Sequence, residues 1–296
     1  MAGTNGTNRT ENAGNTDVST AEITEISHRA WRRGHVPTPD LLPVARNSLT
    51  LSVLIPAYNE EQNIGKAIEA MAATLRAEGI PFELVIVNDN STDDTLGVVE
   101  GMRAQYPEIN LVSNLPPGGL GRAVRCGVHH YTGDVLAIVM ADLSDHPKDV
   151  VRCYRVIELG YDCAFGSRFV RGSKVSDYPF VKLLANRTGN FLIRTMFFTS
   201  HNDLTNAFKV YRRHVIDDIA PLHAAHFNIT IEMSLSALIR HYRIGMIPID
   251  WSGRTWGQSN LKLQEMGRRY ICTLLKIWFE RLLIVDDLMA ERSVRK

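Results

Sequence analysis

Long apolar runs are missing from this sequence. No stretch approaches the roughly 18 apolar residues of a membrane span, and the longest apolar cluster, 271–285, is broken by Lys276, Glu280 and Arg281. The opening residues, MAGTNGTNRTENAGNTDVST, lack the apolar core of a signal peptide. The expected location is therefore the cytoplasm, at most peripheral at the inner face of a membrane. An excess of one charge is missing too: 33 Lys and Arg face 32 Asp and Glu, spread along the chain. That balance excludes the broad basic footprint of a nucleic-acid binder. The four cysteines lie far apart with no CxxC or Cys/His pair, so neither a zinc site nor a disulfide frame is expected, only buried thiols. Gly118-Gly119-Leu120-Gly121 completes no G-x-G-x-x-G and is followed by no Lys-Ser/Thr, which argues against dinucleotide and P-loop readings. A tight turn allowing a ligand close approach at Gly121 fits better.

Three zones are present, and no internal repeat. Residues 1–47 are rich in Asn, Thr, Gly and Ser and bury too little surface to offset ordering entropy, so they read as a disordered tail. Within them, Ile23, Ile26 and Trp31 of segment 21–33 form a candidate docking element. Residues 48–262 read as the catalytic domain. Residues 263–296 read as a basic amphipathic helix and tail, suited either to packing or to an anionic bilayer surface.

In the central zone the texture is that of a doubly wound α/β fold. The short apolar runs LSVLIPAY, FELVIVND, INLVS, DVLAIVMAD and YDCAFGS alternate with helical patterns, as strands of a mostly parallel sheet with helices on both faces do. Ser91 or Thr92 is the expected N-cap of the second helix. Ligands of such sheets bind beyond the carboxyl ends of the strands. Polar residues gather there: Tyr58-Asn59-Glu60, Asp89-Asn90, Asp142 with Asp145, and Arg168 follow four separate strands. Acceptors such as Glu60 and Asp89 suit the base and ribose of a nucleotide. Asp142 and its neighbours suit a divalent cation on a leaving pyrophosphate, and arginines bind phosphate oxygens.

The segments IPAYNEEQNI, VNDNSTDDT, GGLGRAVRCGV, MADLSDHP and FGSRFV, in this order, resemble family 2 glycosyltransferases. NDLTNAFKVYRR, HFNITIE and RTWGQSNLKLQEMGRRY narrow the resemblance to the dolichyl-phosphate mannosyltransferase group of polyprenyl-phosphate sugar transferases. The motifs span about residues 50 to 280. The resemblance implies a GT-A-like fold and an Mg²⁺ or Mn²⁺ cofactor. It implies a nucleotide-diphosphate sugar donor of GDP-mannose or UDP-glucose type. Pro56, Tyr58 and Glu60 match the loop that lines the nucleotide, and Asp89 the aspartate that holds the base. Gly121 belongs to the Gly-rich turn, and Ser259 to a Gly-x-Ser-Lys element. Asp142 matches the last aspartate of the Asp-x-Asp metal motif. Arg168, Arg187 and Arg254 stand where the group places arginines near donor and acceptor phosphates.

Two positions depart from the pattern. Met140 replaces the first aspartate of Asp-x-Asp, leaving Asp145 as the candidate second ligand. Asn260 stands where lysine is usual, with Lys262 nearby. The expected reaction passes a hexose, with inversion, to a polyprenyl or dolichyl phosphate. An ionised phosphate needs no strong general base. The alternative acceptor is a hydroxyl on a small molecule or glycan, which needs a base, and Asp203 and Glu232 are the candidates. Nucleotidyltransferases open with a Gly-rich loop that Pro56-Ala57-Tyr58-Asn59-Glu60 lacks.

Overall fold

The computed structural model describes residues 43–176, 178–252, 263–283, 286–287 and 290. The candidate docking segment 21–33 lies outside them.

Along the chain run β1 (Leu51–Ala57), α1 (Ile64–Ala77), β2 (Phe82–Asn88), α2 (Thr95–Met102), β3 (Ile109–Ser113) and α3 (Leu120–Val128). Then come β4 (Val135–Ile138), α4 (Pro147–Glu158), β5 (Cys163–Ser167), β6 (Val175–Ser176) and α5 (Phe180–Phe197). The rest is β7 (Lys209–Arg212), α6 (Arg213–Ile219), α7 (Ile229–Ile239), β8 (Ile244–Pro248), β9 (Trp251–Ser252) and α8 (Leu263–Leu283). Seven strands form one sheet in the order β3-β2-β1-β4-β7-β5-β8, and β6 pairs with β9 beside it. Only β7 runs antiparallel to its neighbours in the large sheet.

Helices cover both faces, which is why the inner strands read as unbroken apolar runs. All seven residues of β1 are buried. Leu51, Val53, Ile55 and Ala57 join a core with Ile64, Ile68 and Met71 of α1 and Val150, Tyr154 and Ile157 of α4. Leu54 points the other way, into a second core with Val124 of α3, Ile193 of α5, Ile216 of α6, Ile231 of α7 and Ile277 of α8. The doubly wound α/β class is thus as expected. Among the described residues no helix is long and apolar enough to cross a membrane.

Two local expectations are corrected, and one strand, β7, is additional to those expected. Lys209, which opens it, lies in the sheet, 1% exposed. Its Nζ donates to the carbonyls of Asn206 at 2.8 Å and Asp203 at 3.3 Å and lies 5.0 Å from the Phe165 ring centroid. Burial pulls its pKa down to about 8. The residue preceding α2 is Asp94, with no side-chain cap, in place of Ser91 or Thr92. Of the cysteines only Cys153 and Cys163 are buried; Cys126 is half-buried and Cys272 exposed.

One irregularity opens the binding edge. β4 pairs with β1 only over Leu51–Leu54, ending where the Val139 N–H donates to the Leu54 carbonyl at 3.0 Å. Backbone groups alternate sides along a strand, so the Pro56 nitrogen faces the side β4 has already left. A proline there forfeits no ladder bond. The crevice that results lies where strand order reverses, between β1 and β4, and such switch points are where open α/β sheets bind ligands.

Candidate functional site

The loops after β1 and β2 are laced together. Asn59, at φ +54°, donates its N–H to Ser91 Oγ at 3.1 Å, and its Oδ1 accepts the Thr92 N–H at 2.8 Å. The Glu60 N–H donates to Thr95 Oγ1 at 2.8 Å, while Glu60 Oε2 accepts from Asn63 Nδ2 at 2.7 Å. Ser91 therefore serves this lacing in place of a helix cap. Pro56 is buried at the mouth of the crevice and Glu60 is nearly so, whereas Tyr58 is 45% exposed. A largely exposed ring on a braced loop is placed to lie against a planar ligand.

Asp89 follows β2 and is buried. Its Oδ1 accepts from Asn114 Nδ2 and its Oδ2 from the Gly119 N–H, both at 2.7 Å. A carboxylate has about four lone-pair sites, so Asp89 organises the glycine turn and keeps acceptor capacity. For Gly121 the structure supplies a different reason than close approach of a ligand. A Cβ there would stand 2.4 Å from the Ala224 carbonyl oxygen, and one on Gly119 would stand 2.5 Å from that of Ala225. These glycines let α3 abut the 224–226 backbone.

Past β4, Leu143 takes φ +58° and the Ser144 N–H donates to Asp142 Oδ1 at 3.1 Å, leaving Asp142 half-exposed. Asp145 is 3% exposed, and its Oδ2 accepts the Met140 N–H at 3.3 Å. Burial, reinforced by the charge of Asp142, pushes the Asp145 pKa up to about 7. A buried carboxylate disfavoured by a second one nearby is a donor set that a divalent cation would neutralise. The residues present thus fit Mg²⁺ or Mn²⁺, which manages with one or two carboxylates plus substrate phosphates. Among the described residues no group of three His, Cys, Asp or Glu forms a cage. Met140 helps line a largely apolar cavity with Leu120, Val124, Ile138 and Met233, so that position supplies no third ligand.

Arg168 follows β5 and meets Asp203. Nε donates to Oδ2 at 2.8 Å, Nη2 to Oδ1 at 2.7 Å, and the Arg168 backbone N–H to Oδ2 at 3.0 Å. Burial alone would lower the arginine's pKa, but the Asp203 charge and bonds outweigh it and hold the guanidinium ionised. The Asp203 side chain is 0% exposed. Fully buried and bound by three donors of Arg168, Asp203 is a fastener, contrary to its candidacy as a base. Glu232, 2% exposed, is likewise engaged: Oε2 accepts the His223 and Ala224 N–H groups at 3.0 and 2.7 Å, and Oε1 accepts from Lys276 at 2.8 Å.

Arg187 is brought to the same place from α5. Its Cζ lies 4.8 Å from the Phe169 ring centroid, and the Arg168 Cζ lies 5.4 Å from it. Arg187 is exposed and has no carboxylate partner among the described residues. Two guanidinium groups around one ring, one of them uncompensated, can take an anion between them. Tyr178 extends the group: its hydroxyl accepts from Arg168 Nη1 at 3.4 Å and its ring meets Trp251 edge-on at 4.7 Å. Phe169 and Tyr178 were not among the expected residues. Phe169 belongs to the FGSRFV segment, but no sequence signal marks Tyr178. Arg254 and Ser259, with Asn260 and Lys262, lie outside the described residues.

Acids after β1, β2 and β4 and arginines after β5, set around the switch point of a doubly wound sheet, mark the ligand-binding edge of an α/β domain. Residues 52–220 match the family described as Glycosyl transferase family 2, more than half of the chain, and the protein belongs to that family. Among curated proteins it is 28% identical over 233 residues to a dolichol-phosphate mannosyltransferase of Pyrococcus furiosus, an alignment covering 77% of this chain and 64% of that protein. It is 25% identical over 215 residues to a polyprenol monophosphomannose synthase of Mycolicibacterium smegmatis, covering 71% and 80%. The chain thus spans just under two thirds of the Pyrococcus relative's length. In solved structures the same fold recurs in a mycobacterial protein at TM-score 0.61 and 20% identity, covering 78% of this chain and 75% of that one. It recurs in glucosyl-3-phosphoglycerate synthase from Mycobacterium tuberculosis bound to Mg²⁺ and UDP at TM-score 0.58 and 20% identity, covering 78% and 80%.

Proposed function

We propose that the protein transfers a hexose from a nucleotide-diphosphate sugar to a polyprenyl phosphate, with inversion at the anomeric carbon. The observation that carries this reading is the outward face of α5. Phe180, Leu184 and Phe191 recur along it at 57 to 76% exposure, and Phe198 just past its end is 80% exposed, the inverse of a helix that merely covers a core. The sequence of α5 holds Lys182, Arg187 and Arg194 and no acid. α8 adds a second stripe, Ile271, Leu275, Phe279 and Leu282, all exposed. Arg281 of α8 lies 5.7 Å from the Phe198 ring centroid, so the two faces adjoin. An apolar surface edged by cations suits an anionic bilayer, and Arg187 on it reaches the Arg168 site. A water-soluble acceptor requires no such surface.

The chemistry follows from the groups present. Tyr58, Glu60 and Asp89 take the nucleoside, with Pro56 shaping the mouth. Asp142 and Asp145 would hold the divalent cation, which would supply Lewis-acid stabilisation to a leaving diphosphate. Arg168 and Arg187 hold the acceptor phosphate in line with the anomeric carbon. The phosphate oxygen forms the new bond to that carbon as the bond to the pyrophosphate oxygen breaks on the opposite face, and no proton is moved. The two candidate bases, Asp203 and Glu232, are both bound by cations and backbone N–H groups, which supports an ionised acceptor over a hydroxyl. The names of the Pyrococcus and Mycolicibacterium relatives agree with this acceptor and point to mannose. Arg254 keeps the phosphate-contact role, and Ser259 the donor-binding role, that the family resemblance implies.

The test is nucleotide diphosphate release by the purified protein with Mg²⁺, offering GDP- and UDP-hexoses with and without a short polyprenyl phosphate. Lipid-dependent release of one nucleotide is expected. Donor binding without lipid-dependent release sinks the lipid acceptor and redirects the search to small-molecule hydroxyls.

A further inference from the structure

Glu232 stands outside the crevice, yet its bonds lead into it. It sits in the first turn of α7, 2% exposed, and one oxygen accepts both the His223 and Ala224 N–H groups. That backbone is the surface α3 abuts, leaving no room for a Cβ at Gly119 or Gly121. The Gly119 N–H in turn donates to Asp89. On its other side Glu232 is gripped by Lys276 of α8. The same helix holds this stretch twice more: Tyr270 Oη donates to the Phe227 carbonyl at 3.3 Å, and Asn228 Nδ2 donates to Thr273 Oγ1 at 2.9 Å. Arg125 of α3 closes the bundle on the Leu222 and His223 carbonyls at 3.2 and 3.3 Å.

We propose that Glu232 is a positioning residue for the nucleotide donor. It fixes the 223–226 backbone, which sets the glycine turn, which sets Asp89, and through Lys276 it ties that chain of contacts to α8. The inference rests on the donor reading of Asp89. Its physical basis is that a bulk-free contact such as Gly121 against Ala224 transmits displacement directly, because neither side has a flexible side chain to absorb it. Two N–H groups on one buried carboxylate oxygen hold that backbone more firmly than neutral bonds would.

The experiment measures UDP and GDP affinity calorimetrically with Mg²⁺, beside steady-state kinetics. Glu232→Ala is expected to weaken binding of the preferred nucleotide about tenfold, the scale of one lost bond to a charged acceptor. Glu232→Gln, which keeps an acceptor oxygen for both N–H groups, is expected to recover most of that loss. In both variants kcat at saturating donor and the acceptor KM stay near wild type. A merely structural carboxylate would lower thermal stability without this split. Unchanged nucleotide affinity in folded Glu232→Ala, or a loss falling on kcat, overturns the proposal. Where Glu232→Ala does not fold, Lys276→Met carries the test: about threefold weaker donor binding is expected, and no change overturns it. Binding of neither nucleotide by the wild type overturns the donor reading itself and the role of Glu232 with it.

Discussion

Asp203→Asn keeps the shape of the side chain and removes its charge, isolating what the Arg168 pair contributes. The Arg168 and Asp203 side chains are 7% and 0% exposed, so solvent screens them little. Three bonds converge on the Asp203 carboxylate. An asparagine oxygen can accept some of them, but its amide offers a donor where the guanidinium also offers donors. Removing one partner of a buried pair costs about 3–5 kcal/mol, and the surviving acceptor argues for the lower end, about 3 kcal/mol. Against a total stability of about 5–15 kcal/mol that is a large fraction, and urea denaturation followed by tryptophan fluorescence resolves it easily. Adding Arg168→Met should restore much of the loss, since apolar replacement of a buried pair is often near neutral. The pH dependence of the rate separates fastener from base: loss of a general base erases one limb of the profile, whereas loss of a fastener lowers the rate uniformly. A stability loss below about 1 kcal/mol, or a vanished limb, would refute the reasoning.

Three further outcomes are expected. Gly121→Ala places a methyl 2.4 Å from the Ala224 carbonyl oxygen, an overpacking that costs about 1–3 kcal/mol and weakens donor binding; a variant matching wild type in melting temperature and nucleotide affinity contradicts the close-contact account. His201, whose buried Nδ1 finds no partner among the described residues, has its pKa pulled from 6.5 down to about 4 by burial and by Lys209. The unfolded chain then binds more protons between those values, so stability falls as pH drops from about 6.5 to about 4; His201→Leu should flatten that part of the stability–pH curve, and an unaltered slope would count against it. Replacing Leu184 and Phe191, 57% and 69% exposed, together with serine removes apolar surface worth up to about 1.5–3 kcal/mol per side chain on full burial. Sedimentation with anionic vesicles should weaken at least about tenfold with folding intact, and unchanged sedimentation would remove the bilayer from the proposal.

What sequence alone determined is the class of fold, the family and the edge of the sheet where the site lies. Strands covered on both faces must be continuously apolar, as LSVLIPA is, and the aspartate that follows FELVIVN and the one four residues beyond VLAI could only gather at one edge of such a sheet. The class of chemistry was legible for the same reason: loops at strand ends keep their polar residues next to the strand that places them. Tertiary structure alone decided which charged groups are spent and which are free. Asp203, Glu232 and Lys209 are ordinary ionisable residues in the sequence, and no local pattern shows that each is buried, or that Asp203 meets Arg168 and Glu232 meets Lys276. Gly121 reads as room for a ligand until the Ala224 carbonyl is seen against it, and only the folded chain shows the aromatic face of α5 turned outward. These are properties of long-range packing, set by which surfaces meet in space, and periodicity along the chain carries no record of the partner.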